Sequence, residues 1–82
     1  MTGYKDFPKD FPEVGQTVRV VREKKTYPLW ITEGMVLSRA IIGDSIYVSL
    51  FDSAWSHLIF KDGMWSICVD NQVDHVTVTL IK

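Results

Sequence analysis

The clearest strand pattern in the chain is Ile46-Tyr47-Val48-Ser49-Leu50-Phe51, which follows the tight-turn pair Gly43-Asp44. Ile46, Val48 and Leu50 alternate with the side chains between them, and a period of two is typical of a strand that buries one face. A glycine beside an aspartate favours a tight turn between strands. The pattern therefore predicts a β-strand over residues 46–51 that is entered through a tight turn.

Four further segments predict strands because they combine alternation or apolar runs with residues of high β propensity. These segments are Gln16–Arg22, Met35–Ile42, Met64–Val69 and Val76–Ile81. In the first of them, Val18 and Val20 are expected to face the interior. Residues 23–33 are expected to form one long loop, because a charged tip is followed by Pro28, which argues against a central strand.

The segment Asp52–Phe60 is compatible with two interpretations. Its apolar residues fit one face of a helix with Asp52 as the N-cap, but His57–Phe60 also fits a strand. We favour a loop followed by a strand, because Lys61-Asp62-Gly63 is a hairpin signal and an alternating segment lies beyond it.

The N-terminal segment contains the tandem repeat Lys5-Asp6-Phe7-Pro8 and Lys9-Asp10-Phe11-Pro12. Each proline biases the preceding phenylalanine towards extended geometry, so residues 1–13 are predicted to form an extended arm and residues 14–82 a single domain. In such an arm Phe7 and Phe11 share one face. The two rings either cover the chain's own core or contact a partner.

A chain of 82 residues supports one hydrophobic core. Five to six short antiparallel strands joined by tight turns predict an all-β protein, a small closed or nearly closed barrel. The stretch Gly15-Gln16-Thr17-Val18-Arg19-Val20 resembles the entry strand of SH3-like and KOW-type barrels, and Trp30–Ala40 resembles the strand that follows their first loop. The resemblance implies an SH3-like barrel. By analogy with other small barrels, we expect an accessory protein of a bacterium or a phage.

Composition indicates the cellular setting. The formal net charge of −1 is too small to indicate nucleic acid or a membrane surface by itself. No run approaches the roughly 18 apolar residues of a membrane span, and the first residues lack a secretory pattern. Cys68 is the single cysteine, which agrees with a reducing compartment. We therefore expect a cytoplasmic protein with no membrane association.

No constellation predicts catalysis, a cofactor or a metal. Asp52, Ser53, Ser56 and His57 include the residue types of a hydrolytic triad, but triads are assembled from separate parts of a fold. His57, Cys68 and His75 match no zinc-ligand spacing, and Cys68 is expected to be a small buried or half-buried residue. The five glycines are scattered singly, so they form no phosphate-binding loop. We expect a protein that is not an enzyme and needs no cofactor or metal.

Two surfaces are candidates for binding. An excess of aromatic residues predicts contact with a protein partner or a second copy of the chain; the candidate residues are Tyr27, Leu29, Trp30, Trp55, Phe7 and Phe11. The alternative is nucleic-acid binding, because basic side chains beside aromatic rings suit phosphates and bases; its candidates are Arg19, Arg22, Lys24 and Lys25. The protein-binding hypothesis is the favoured one.

Overall fold

The fold is built from six β-strands. The computed structural model describes residues 4–24, 30–69 and 71–81, with the backbone alone for Val69, and no helix occurs among these residues. The strands are β1 (Thr17–Arg22), β2 (Ile31–Ile42), β3 (Ser45–Phe51), β4 (His57–Lys61), β5 (Met64–Val69) and β6 (Gln72–Ile81). The prediction of an all-β chain with five to six antiparallel strands is confirmed.

Each strand pairs antiparallel with the next, and β6 returns to pair with β1, so the sheet closes into a barrel. The closing register runs from Thr17↔Ile81 to Arg22↔Val76. Closure matters because an open sheet edge presents unpaired backbone groups to other chains.

The core lies inside this barrel and follows the alternation seen in the sequence. Val18 and Val20 are fully buried, which confirms their predicted inward orientation. On β3 the three alternating residues of the opening pattern are likewise buried, whereas Tyr47 and Phe51 remain exposed. One face of each strand thus supplies the apolar burial that stabilises so small a domain.

The favoured interpretation of residues 52–60 is confirmed, since His57–Lys61 forms β4 after a loop. The predicted hairpin at Lys61-Asp62-Gly63 is also confirmed, because Lys61 pairs with Met64. Asp62 and Gly63 have φ values of 53° and 77°. Positive φ at both central residues is what a type I′ turn requires, and Asp-Gly is among its preferred sequences.

Two predicted strand boundaries and the predicted burial of Cys68 need correction. The loop was expected to reach residue 33, but β2 begins at Ile31, which pairs with Val21. The last strand begins at Gln72 and not at Val76, because the pairing of β6 with β5 extends from Val76 back to Gln72, which pairs with Val69. Cys68 is exposed and not buried, since it lies on the outward side of β5.

The N-terminal segment packs on its own barrel. Phe11 is buried and its ring stacks on Trp65 with centroids 5.1 Å apart. The Phe7 ring stacks on Phe11 at 5.7 Å, and the Arg39 guanidinium lies 4.0 Å from the Phe7 centroid. The two phenylalanines therefore pack on the chain's own barrel, the first of the two expectations for them.

This segment is not uniformly extended as predicted. The Phe11 N–H donates to the Pro8 carbonyl at 3.1 Å, and Asp10 has a φ of 63°. The resulting turn brings the two repeats back on each other, which is why the rings of Phe7 and Phe11 can stack.

Candidate protein-binding surface

The four basic candidates do not form one cluster in the structure. Arg19 is exposed and pairs with Glu33 at 2.8 Å across β1 and β2. Lys24 is exposed, and Lys25 lies outside the described residues. Arg22 points into the barrel and forms an ion pair with Asp74. Of the three cations that the structure describes, Arg22 is buried and the charge of Arg19 is balanced by the Glu33 carboxylate.

The Arg22–Asp74 pair belongs to the interior of the barrel. The exposed fractions of the two side chains are 8% and 15%. The Arg22 guanidinium also lies 5.8 Å from the ring centroid of Trp55. Trp55 is itself buried, so this end of the barrel is closed by an indole ring next to an internal ion pair.

The aromatic candidates are also dispersed. Tyr27 and Leu29 lie outside the described residues. Trp55 and Phe11 are each only 8% exposed, which leaves almost no ring surface for a partner, and Phe7 is half-buried against Phe11. Trp30 directly precedes β2 and is 37% exposed, so it keeps a surface that a partner could reach.

The structure instead presents an exposed apolar row that the sequence analysis missed. Phe51 on β3 is opposite Met35 on β2, Met35 is opposite Thr17 on β1, and Thr17 is opposite Ile81 on β6. Leu37 lies two residues beyond Met35 on the same strand. We call Met35, Leu37, Phe51 and Ile81 the apolar face; their exposed fractions are 38%, 47%, 57% and 37%.

A β-bulge interrupts the register of β2 at Leu37. Val36 pairs with Leu50 and Ser38 pairs with Ser49, so Leu37 is an extra residue without a register partner on β3. A bulge of this kind redirects side chains locally. Met35 and Leu37 face outward by the normal alternation of a strand, with Val36 fully buried between them, and the bulge turns Ser38 outward as well.

Close packing beside Gly34 fixes the end of β3 next to this face. A Cβ atom at Gly34 would lie 2.8 Å from the Ser53 Cβ and 3.0 Å from the Phe51 carbonyl oxygen. Ser53 and Thr32 are joined by their hydroxyl groups at 3.3 Å. The absence of a side chain at Gly34 thus lets the loop after β3 approach β2, which holds Phe51 opposite Met35.

Two weak signals in the sequence could have indicated the apolar face. β3 carries large apolar or aromatic residues on both faces, since Tyr47 and Phe51 alternate with the buried set, and the run Met35–Leu37 is apolar without alternation. Their meaning depends on the register between β2 and β3, which the sequence did not provide.

The residues once considered for catalysis are engaged in local structure. The Ser53 hydroxyl accepts from the Trp55 N–H at 3.2 Å, and Asp52 adopts a φ of 61° in the turn after β3. Ser56 Oγ lies 3.0 Å from His57 Nδ1 on an exposed surface. Within the described ranges no group of three or more His, Cys, Asp or Glu side chains could hold a metal ion.

Comparisons of the chain with protein-family models, with curated proteins and with solved structures find no match. The part of the chain that the structure describes contains no helix with the length and apolar character of a membrane span.

Proposed function

We propose that the chain is a non-enzymatic protein-binding module of SH3-like architecture that contacts its partner through the apolar face. The observation that carries this proposal is the exposure of Phe51, Met35 and Leu37 as neighbours on β2 and β3. A contiguous exposed apolar patch with polar surroundings is characteristic of interaction sites. Aromatic residues and methionine are also enriched in the buried centres of interfaces.

The charges next to the apolar face support a protein partner over nucleic acid. Arg19 and Glu33 form the next outward-facing pair along β1 and β2 after Thr17 and Met35, and they neutralise each other. A polar rim of balanced charge is what protein interfaces have around an apolar centre. Phosphate binding would need an excess of accessible cations, and Arg22 is committed to the interior.

The barrel itself supports the architectural part of the proposal. Short antiparallel strands in consecutive order around a closed sheet are compatible with an SH3-like barrel. In such folds recognition is a property of surface residues and not of the scaffold, so the proposal is argued from the side chains of the apolar face.

Affinity capture with matched charge substitutions tests the proposal. Immobilised Phe51→Arg is expected to lose the proteins that the unmodified chain retains, because a buried arginine without a paired charge opposes desolvation of the interface. Loss of a central contact of about 2 kcal/mol weakens binding roughly 30-fold.

Ile42→Arg is the matched control, because Ile42 is 60% exposed and lies at the far end of β2. It should retain the same proteins as the unmodified chain. Retention of those proteins by Phe51→Arg, with an unchanged circular dichroism spectrum, would contradict a role for the apolar face.

A further inference from the structure

The barrel wall has an opening between β4 and β5. These strands pair next to their hairpin, and the last register pair is Ile59↔Ser66. Beyond it β5 continues against β6 as far as Val69, while β4 continues back to His57 against β3. Leu58 and Ile67 directly follow the last pair, and His57 and Cys68 lie one position further along the two sides of the opening.

A cavity of about 520 Å³ occupies this opening. Tyr47 and Ile59, opposite each other on β3 and β4, supply its accessible apolar surface, while Trp55 and Ile67 are buried beneath it. Polar side chains around this surface are Ser56, His57 and Cys68. Cavities of roughly 300–1,000 Å³ with an apolar lining and a few polar groups are typical of ligand sites.

Backbone groups of β4 and β5 point into the opening. The hairpin turn places Lys61 and Met64 as its first and fourth residues, which a tight turn joins by a hydrogen bond. Hydrogen-bonded pairs alternate along an antiparallel ladder, so Ile59 and Ser66 form the next one. The following one would join His57 to Cys68, but the register stops before it. The N–H and C=O groups of these two residues are thus directed at the space between the strands.

We infer that this opening binds an extended peptide segment of a partner protein, which pairs with the β5 backbone beyond Ser66 and places one apolar side chain against Tyr47 and Ile59. An extended backbone carries donors and acceptors at the spacing of a strand edge, whereas a helix satisfies its own. The apolar surface of Tyr47 and Ile59 selects the bound side chain. This site is separate from the apolar face and does not rest on it.

A designed peptide tests the site directly. The probe is the acetylated and amidated peptide KVTLTVK, whose leucine and two valines share one face when it is extended. Titrated into the ¹⁵N-labelled full chain, it should shift the amide signals of His57 and Cys68 and the indole signal of Trp55. Methylation of the leucine amide nitrogen removes one backbone donor, and we expect affinity to fall roughly 5- to 10-fold.

A matched pair of substitutions locates the binding. Ser56→Trp fills the cavity while leaving the Ser56 carbonyl free to accept from the Leu50 N–H. Its binding should be lost, whereas Ser38→Trp on β2 should bind as the unmodified chain does.

Three outcomes would overturn the inference. They are an absence of shifts at millimolar peptide, shifts centred on Met35 and Phe51, and equal affinity for the methylated peptide. The last two remain informative even if Ser56→Trp does not fold. Phe51→Arg should leave the peptide affinity unchanged, so failure here is distinguishable from failure of the proposed function.

Discussion

Removal of the Asp74 carboxylate should destabilise the barrel strongly. Arg22 is the last residue of β1, and its side chain points into the barrel towards Asp74 with 8% of its surface exposed. Asp74→Ala leaves this buried guanidinium without that carboxylate. Removing one partner of a buried ion pair lowers the unfolding free energy by about 3–5 kcal/mol. The remaining charge keeps its desolvation penalty but loses the attraction to its partner.

The expected magnitude lies at the lower end of that range. Asp74 retains 15% exposure, so water can reach the space that its carboxylate vacates. We therefore expect a loss of about 3 kcal/mol, which is a large part of the roughly 5–15 kcal/mol that stabilises a typical domain. For a domain of this size the melting temperature should fall by about 12–24 °C, at roughly 4–8 °C per kcal/mol.

Urea unfolding followed by tryptophan fluorescence measures this loss. Glu33→Ala is the matched control, because its ion pair with Arg19 also involves β1 but is about half exposed. Exposed pairs contribute roughly 0–1 kcal/mol, so this variant should unfold close to the unmodified chain. The double variant Arg22→Met with Asp74→Leu should recover most of the stability, since apolar residues of similar volume remove both charges.

Two results would refute the reasoning about the internal pair. One is a change in unfolding free energy for Asp74→Ala that is no larger than that for Glu33→Ala. The other is a double variant that is less stable than Asp74→Ala, because it would show that the cost comes from lost packing and not from loss of the attraction between Arg22 and Asp74.

Two further substitutions test the packing of the barrel, with the exposed Val14→Ala as a control expected to stay within about 0.5 kcal/mol. Gly34→Ala should lower the free energy of urea unfolding by about 1–3 kcal/mol, because the added Cβ would lie 2.8 Å from the Ser53 Cβ. An unchanged urea midpoint would contradict this close approach. Phe11→Ala should lower the unfolding free energy by about 3–5 kcal/mol. It should also shift the fluorescence of Trp65, because the Phe11 ring stacks on that indole. A stability equal to that of the control would show that the arm is not part of the core.

The strands were predictable from the sequence because each buries one face. Val18 and Val20 flank Arg19, and this alternation was enough to predict that both valines face the interior. The Asp62-Gly63 turn fixes its hairpin through local backbone geometry. These features depend on neighbours in the chain. Local patterns therefore revealed most of the fold.

The surfaces depended on contacts between distant residues. Arg22 looked like part of a basic loop, but its partner Asp74 is 52 positions away and is brought close by barrel closure. Phe51 belonged to a strand pattern that was correctly identified, yet its exposure beside Met35 follows from the register of β2 and β3. Binding residues could not be separated from core residues without that register.

The interior of the barrel is covered by the chain itself, which restricts where a partner can bind. Phe11 of the N-terminal arm stacks on Trp65, and Trp55 packs beside the internal Arg22–Asp74 pair. A ligand entering the interior would have to displace these buried groups. The outer wall requires no such displacement, and it carries both the exposed apolar residues and the opening between β4 and β5. Recognition by this barrel is therefore expected to occur on its side.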